Sequence, residues 1–134
     1  MVAGSVLYLD ASALVKLILS ESETAALTTF LGERATVVTS RLAEIEVIRA
    51  VARIAQPGDV EHANEVLEGV RLIEIDTTVS TLAKSVAPTV LRSVDAIHLA
   101  SALTIASELD AFVTYDLRLA DAARDAGLTV VAPA

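Results

Sequence analysis

Two segments of the chain set an acid between an apolar run and a pattern of helical character: "VLYLD" closes on Asp10 and "AFVTYD" on Asp116. A carboxylate at the end of a buried strand is costly unless something neutralises it. Two further stretches put acids among apolar helical residues. Asp95 stands at the first turn of "SVDAIHLASAL", with His98 three residues on and on the same face. Glu44 and Glu46 lie in "SRLAEIEVIRAV", where the helical period sets Glu46 near Arg49 and Arg53 in a solvated stripe and gives Glu44 a face with Ile48 and Val51. Each acid has a plainer reading, because Asp at a helix start caps the helix and complements its dipole. Repetition of the strand–acid–helix junction nevertheless favours a shared site, since open parallel sheets bind ligands at the carboxyl ends of their strands.

Converging carboxylates, no cysteine and only two histidines, His62 and His98, suit a hard cation held by oxygen, Mg²⁺ or Mn²⁺. Such an ion binds through substrate phosphates and activates a water, so metal-assisted phosphodiester hydrolysis is the reaction class this set of residues suits. Aspartate-nucleophile phosphatases also begin with an acid after the first strand, but they carry a second Asp where this chain has Ser12. A receiver-type signalling domain wants paired acids there and a late lysine, whereas the only lysines here are Lys16 and Lys84.

The elements that must position these acids alternate. Five β-branched runs, at 6–9, 35–39, 70–75, 111–114 and 128–131, are separated by helical patterns. That order implies an α/β fold of three layers, with a central parallel sheet of four to five strands covered on both faces. Helices are expected from after Asp10 to about residue 19, over 22–31 with Ser22 as N-cap, over 40–55, 60–69 and 94–108, after Asp76, and after Asp116 up to a C-terminal Gly127. In the 40–55 helix the apolar face is expected to run through Leu42, Ile45, Ile48, Val51, Ala52 and Ala55.

At 134 residues the chain suits a single domain, 1–134. Apolar residues at 54% exclude disorder by composition, and the absence of cysteine suits a reducing, cytoplasmic setting. No signal peptide and no membrane span are expected, because Asp10 and Lys16 interrupt the first apolar stretch. A net charge of −8 argues against a broad phosphate-binding surface, so nucleic-acid contact has to be local or cation-assisted.

In order and spacing, "DASALVKL", "EVIRAV", "DAIHLASAL" and "TYDLRLADAA" resemble the motifs of PIN-domain ribonucleases of the VapC type. The resemblance spans the whole chain. It implies a toxin of a type II toxin–antitoxin pair: a Mg²⁺- or Mn²⁺-dependent endoribonuclease cleaving RNA, commonly a homodimer, inhibited by a VapB-like antitoxin. By motif it assigns catalysis and metal binding to Asp10, Glu46, Asp95 and Asp116, and prefers Glu46 to Glu44 as the helical acid. Ser12 and Thr114 match hydroxyls that assist metal or water, although Ser12 also reads as a simple helix cap. Arg118 matches a position near the site. The alternative within the same resemblance is an inactive PIN-like module that binds RNA or protein without cutting. The helical pair over 11–31 is a candidate surface for the antitoxin or a second subunit.

Overall fold

The structure, a computed structural model, describes residues 4–54 and 56–134. Five strands, β1 (Val6–Leu9), β2 (Thr36–Ser40), β3 (Arg71–Ile73), β4 (Ala111–Val113) and β5 (Val130–Val131), form one sheet in the order β3-β2-β1-β4-β5. Every pairing is parallel. The chain builds outward from β1 to β3, then crosses back and lays β4 on the other side of β1. Between β1 and β4 the direction of winding reverses, and that is where an α/β sheet opens a crevice at its carboxyl edge.

Side chains alternate across the sheet with period two. Leu7, Leu9, Ala111 and Val113 point into one core with Leu14, Leu27, Val47 and Val51, whereas Tyr8 and Phe112 point into the other with Leu99 and Leu119. The first core is covered by α1 (Ala11–Ile18), α2 (Thr24–Leu31), α3 (Arg41–Ile54) and α4 (Asp59–Glu68). Over the second lie α6 (Ser93–Leu103) and α7 (Leu117–Asp125), with α5 (Thr77–Ser85) packed on α6. Tyr8 and Phe112 stack in register, centroids 5.1 Å apart and planes 3° from parallel, pinning β1 to β4 from this side.

Several expected boundaries move, each for a local reason. The helix expected from residue 22 begins at Thr24, and Ser22 does not cap it: its hydroxyl donates to the Glu23 carboxylate, while Thr24 Oγ1 accepts the Glu21 N–H and donates to the Lys16 carbonyl. Helix α6 stops at Leu103 rather than Glu108, because Ile105, Ala106 and Glu108 donate to carbonyls three residues back and tighten the chain into turns. The buried stripe of α3 is Ala43, Val47 and Val51, and Ile45 is 57% exposed. Of the expected apolar face only Val51 is fully buried and Ile48 packs partly against the core, while Ala43 and Val47 complete the buried stripe; Ala55 lies outside the described residues. Asp76 caps α5 through the Val79 N–H, and Gly127, at φ 93°, closes α7 with paired bonds from Gly127 and Leu128 to Arg124 and Ala123. Among the described residues no helix is long and apolar enough to cross a membrane. In the helical pair over 11–31, Leu14, Ile18, Leu27 and Leu31 are spent in the core.

Candidate active site

Asp10 follows β1 directly and is 4% exposed. It caps α1 by accepting the Ala13 N–H at Oδ1, 3.0 Å. Ser12 Oγ donates to the same oxygen at 2.6 Å, and Thr114 Oγ1 donates to Oδ2 at 2.6 Å. Both hydroxyls are also acceptors: Ser12 takes the Tyr115 N–H at 3.0 Å and Thr114 the Asp116 N–H at 3.1 Å. Ser12 therefore does not cap its helix; it ties the start of α1 to the loop after β4. Burial pushes the Asp10 carboxyl above its usual range, and the bonds from Ser12, Thr114 and Ala13 pull it back. A carboxylate offers about four acceptor positions, and three are filled here. The one remaining lies on Oδ2.

Asp116, at the matching junction after β4, has its side chain 31% exposed. Its Oδ1 caps α7, accepting from Arg118 and Leu119 at 2.9 and 3.0 Å. Its Oδ2 faces Arg92 Nη2 at 3.6 Å. The same guanidinium donates through Nε to Asp95 Oδ2 at 3.0 Å, and Asp95 in the first turn of α6 is 5% exposed. Asp95 raises the Arg92 pKa further by that hydrogen bond and its charge. Arg118 carries no ion pair among the described residues and lines a small cavity with Arg92, Asp116 and Leu117.

The two glutamates of α3 part company. Glu44 is 42% exposed along its side chain and pairs with Arg41 at 2.8 Å, so it lies at the surface although Val51, expected on its face, is buried. Glu46 leaves the solvated stripe expected of it: its Oε1 meets His98 Nε2 at 2.7 Å. His98 Nδ1 in turn lies 2.7 Å from Tyr8 Oη, deep under the sheet. Burial raises the Tyr8 hydroxyl far above its ordinary value, so it stays protonated and donates to Nδ1. With Tyr8 donating, Nε2 carries the proton that His98 gives to Glu46. Sequence reasoning missed Arg92, Tyr8 and the bridging role of His98. The signals were an Arg three residues before Asp95 and a phenol inside a buried strand, which needs a polar partner.

The structure thus brings Asp10, Thr114, Ser12 and Asp116 together at the β1–β4 edge, joins Asp95 to Asp116 through Arg92, and hangs Glu46 from α6. Glu44 stands apart. The donors are all hard oxygen, which suits a divalent cation of the Mg²⁺ type. Among the described residues, however, no three His, Asp or Glu side chains converge closely enough to hold a metal between them. The chemistry of the donors fits such an ion, and Arg92 stands between Asp95 and Asp116.

Known proteins resemble this chain in sequence and in fold. The family model described as the PIN domain matches residues 7–125. Ribonuclease VapC47 of Mycobacterium tuberculosis is 44% identical over 131 residues, covering 95% of this chain and 96% of that protein. Among solved structures, a toxin–antitoxin complex from Klebsiella pneumoniae superposes with a TM-score of 0.70 at 20% identity, covering 97% of this chain and 98% of that one. VapC20 of M. tuberculosis, a sarcin–ricin-loop-cleaving toxin, does so with a TM-score of 0.70 at 17% identity, covering 95% and 99%. These two likenesses establish the fold, and the family match with the 44% identity establishes the kinship. The chain belongs to the PIN-domain family, among the VapC ribonucleases.

Proposed function

We propose that this protein is the toxin of a type II toxin–antitoxin pair, a cytoplasmic endoribonuclease that depends on Mg²⁺ or Mn²⁺, is held in check by a VapB-like antitoxin and forms a homodimer. The observation that carries the activity is the pairing of Asp10 and Asp116 at the reversal of the sheet, laced by Ser12 and Thr114, with Asp95 brought alongside by Arg92. The ribonuclease name of its relative and the fold it shares with a toxin–antitoxin complex support the same reading.

Asp10, Asp95 and Asp116, with Glu46, are the residues that would hold the cation. A bound divalent ion supplies a Lewis acid and an acidified water for in-line attack on an RNA phosphorus. The chain supplies the rest. Ser12, Thr114 and the Ala13 N–H keep the Asp10 carboxylate aimed despite burial. His98 fixes one oxygen of Glu46, leaving the other to orient the water or accept its proton. Arg118, with no ion pair among the described residues and lining one cavity with Asp116, would meet a substrate phosphate.

The test is an RNA cleavage assay with Mg²⁺ against EDTA, on the unaltered protein and on Asp10→Asn and Asp95→Asn. Cleavage that needs the ion and disappears in both variants, with native circular dichroism, is expected. Full activity in both variants would overturn the reading, and RNA binding without product would favour a non-cutting module.

A further inference from the structure

Arg92 is out of place by local rules. It occupies the N-cap position of α6, where Ser, Asp or Asn accept a backbone N–H, and its side chain makes no capping bond. A cation there also opposes the positive end of the helix dipole. What holds it is the acid pair: Asp95 Oδ2 at 3.0 Å and Asp116 Oδ2 at 3.6 Å. On Asp116 the other oxygen is committed to capping α7, and among the described residues Arg92 is the only hydrogen-bond partner of the Asp95 carboxylate. The guanidinium thus covers the one Asp116 oxygen not spent on its helix, and one of the two oxygens of Asp95.

We propose that Arg92 is an internal counter-cation of Asp95 and Asp116 that a divalent ion must displace, so that this side chain sets the ion concentration at which the site loads. The inference rests on the reading of Asp95 and Asp116 as ion ligands. A guanidinium and a divalent ion compete for these two oxygens, because their charges repel and each oxygen already gives one of its acceptor positions to Arg92. Displacement is sterically open. The Arg92 side chain is 70% exposed, and it borders a cavity of about 440 Å³ whose wall includes Asp121, paired with Arg124 at 3.4 Å, and Asp125. By mass action, the apparent ion affinity falls by the fraction of molecules in which Arg92 occupies the acids.

Mn²⁺ titration by calorimetry at fixed ionic strength tests this on the full chain. Arg92→Ala should bind Mn²⁺ about threefold to tenfold more tightly than the unaltered protein, the range expected for losing a partly exposed charged competitor. Arg92→Lys should fall between, since an ammonium keeps the charge but loses the planar fork, and it serves as the measurement if the alanine variant does not fold. Affinity that is unchanged or weaker in the folded variants would overturn the proposal. Asp95→Asn separates the two failures: if it binds Mn²⁺ as well as the unaltered protein, the site reading itself is wrong, whereas weakened binding there with no gain from Arg92 variants rejects the counter-cation alone.

Discussion

Asp10 and Asp116 occupy the same local position, the residue that leaves a strand and caps the next helix, yet their surroundings differ. Asp10 follows the central strand and is 4% exposed, with both oxygens receiving hydroxyl protons from within the chain. Asp116 follows a strand one place nearer the edge, its side chain 31% exposed, with one oxygen spent on its helix and the other turned to an exposed arginine. The difference teaches how one sequence motif yields two roles. The central acid is held by hydroxyls and an N–H from within the chain, and the outer acid gives one oxygen to an exposed side chain. Ser12 and Thr114 couple the two, each donating to Asp10 while accepting a backbone N–H from the Tyr115–Asp116 loop.

The strongest way to break this comparison is to remove each charge in turn. Asp10→Asn should lower the rate of RNA cleavage about a thousandfold, the loss of several kcal/mol of transition-state stabilisation. Asp116→Asn should cost less. Equal losses in single-turnover rates would mean that the central and outer acids are equivalent.

A smaller effect sharpens the coupling. Thr114→Val deletes the donor to Asp10 and the acceptor for Asp116 at once, so denaturant unfolding should report a loss of about 2–3 kcal/mol. Thr114→Ser should recover most of it. Ser12→Ala, at a half-buried site, should cost about 1 kcal/mol. A Thr114→Val loss under about 0.5 kcal/mol, the size of an ordinary surface change, would show that the hydroxyls do not lace the junctions.

The smallest effect is in pH. Because burial holds the Asp10 carboxyl above its unfolded value, this group favours folding fully only below about pH 4, and that contribution is lost as pH rises through the folded pKa. In EDTA at pH 7, Asp10→Asn should therefore melt a few degrees higher than the unaltered protein. The gap should close as pH falls towards about 4. A variant less stable than the unaltered protein at neutral pH would contradict the strain assigned to Asp10.

The strands were legible because β-branched runs bounded by acids and glycines have few alternatives, and the helix caps at Asp10, Asp76 and Asp116 follow from residue type alone. The glutamates were not legible from period. Leu42, Ile45 and Ile48 outweigh Ala43 in any hydrophobic count, yet Ala43 is fully buried with Val47 and Val51 while Ile45 is exposed, and the helix turns accordingly. That rotation carries Glu46 towards His98 and Glu44 towards Arg41. The motif resemblance prefers Glu46, a choice that needs no knowledge of which face is buried.

By itself the sequence determined the alternation of strands and helices, the caps, and the acids that end two strands, since these depend on neighbours a few residues away. Tertiary structure alone decided that β4 lies beside β1, which closes the hydrogen bond from Thr114 to Asp10 across 104 residues. It also decided that Arg92 spans two helices and that Tyr8 reaches Glu46 through His98. Strand order and helix rotation are set by how whole faces pack, and no local pattern encodes them.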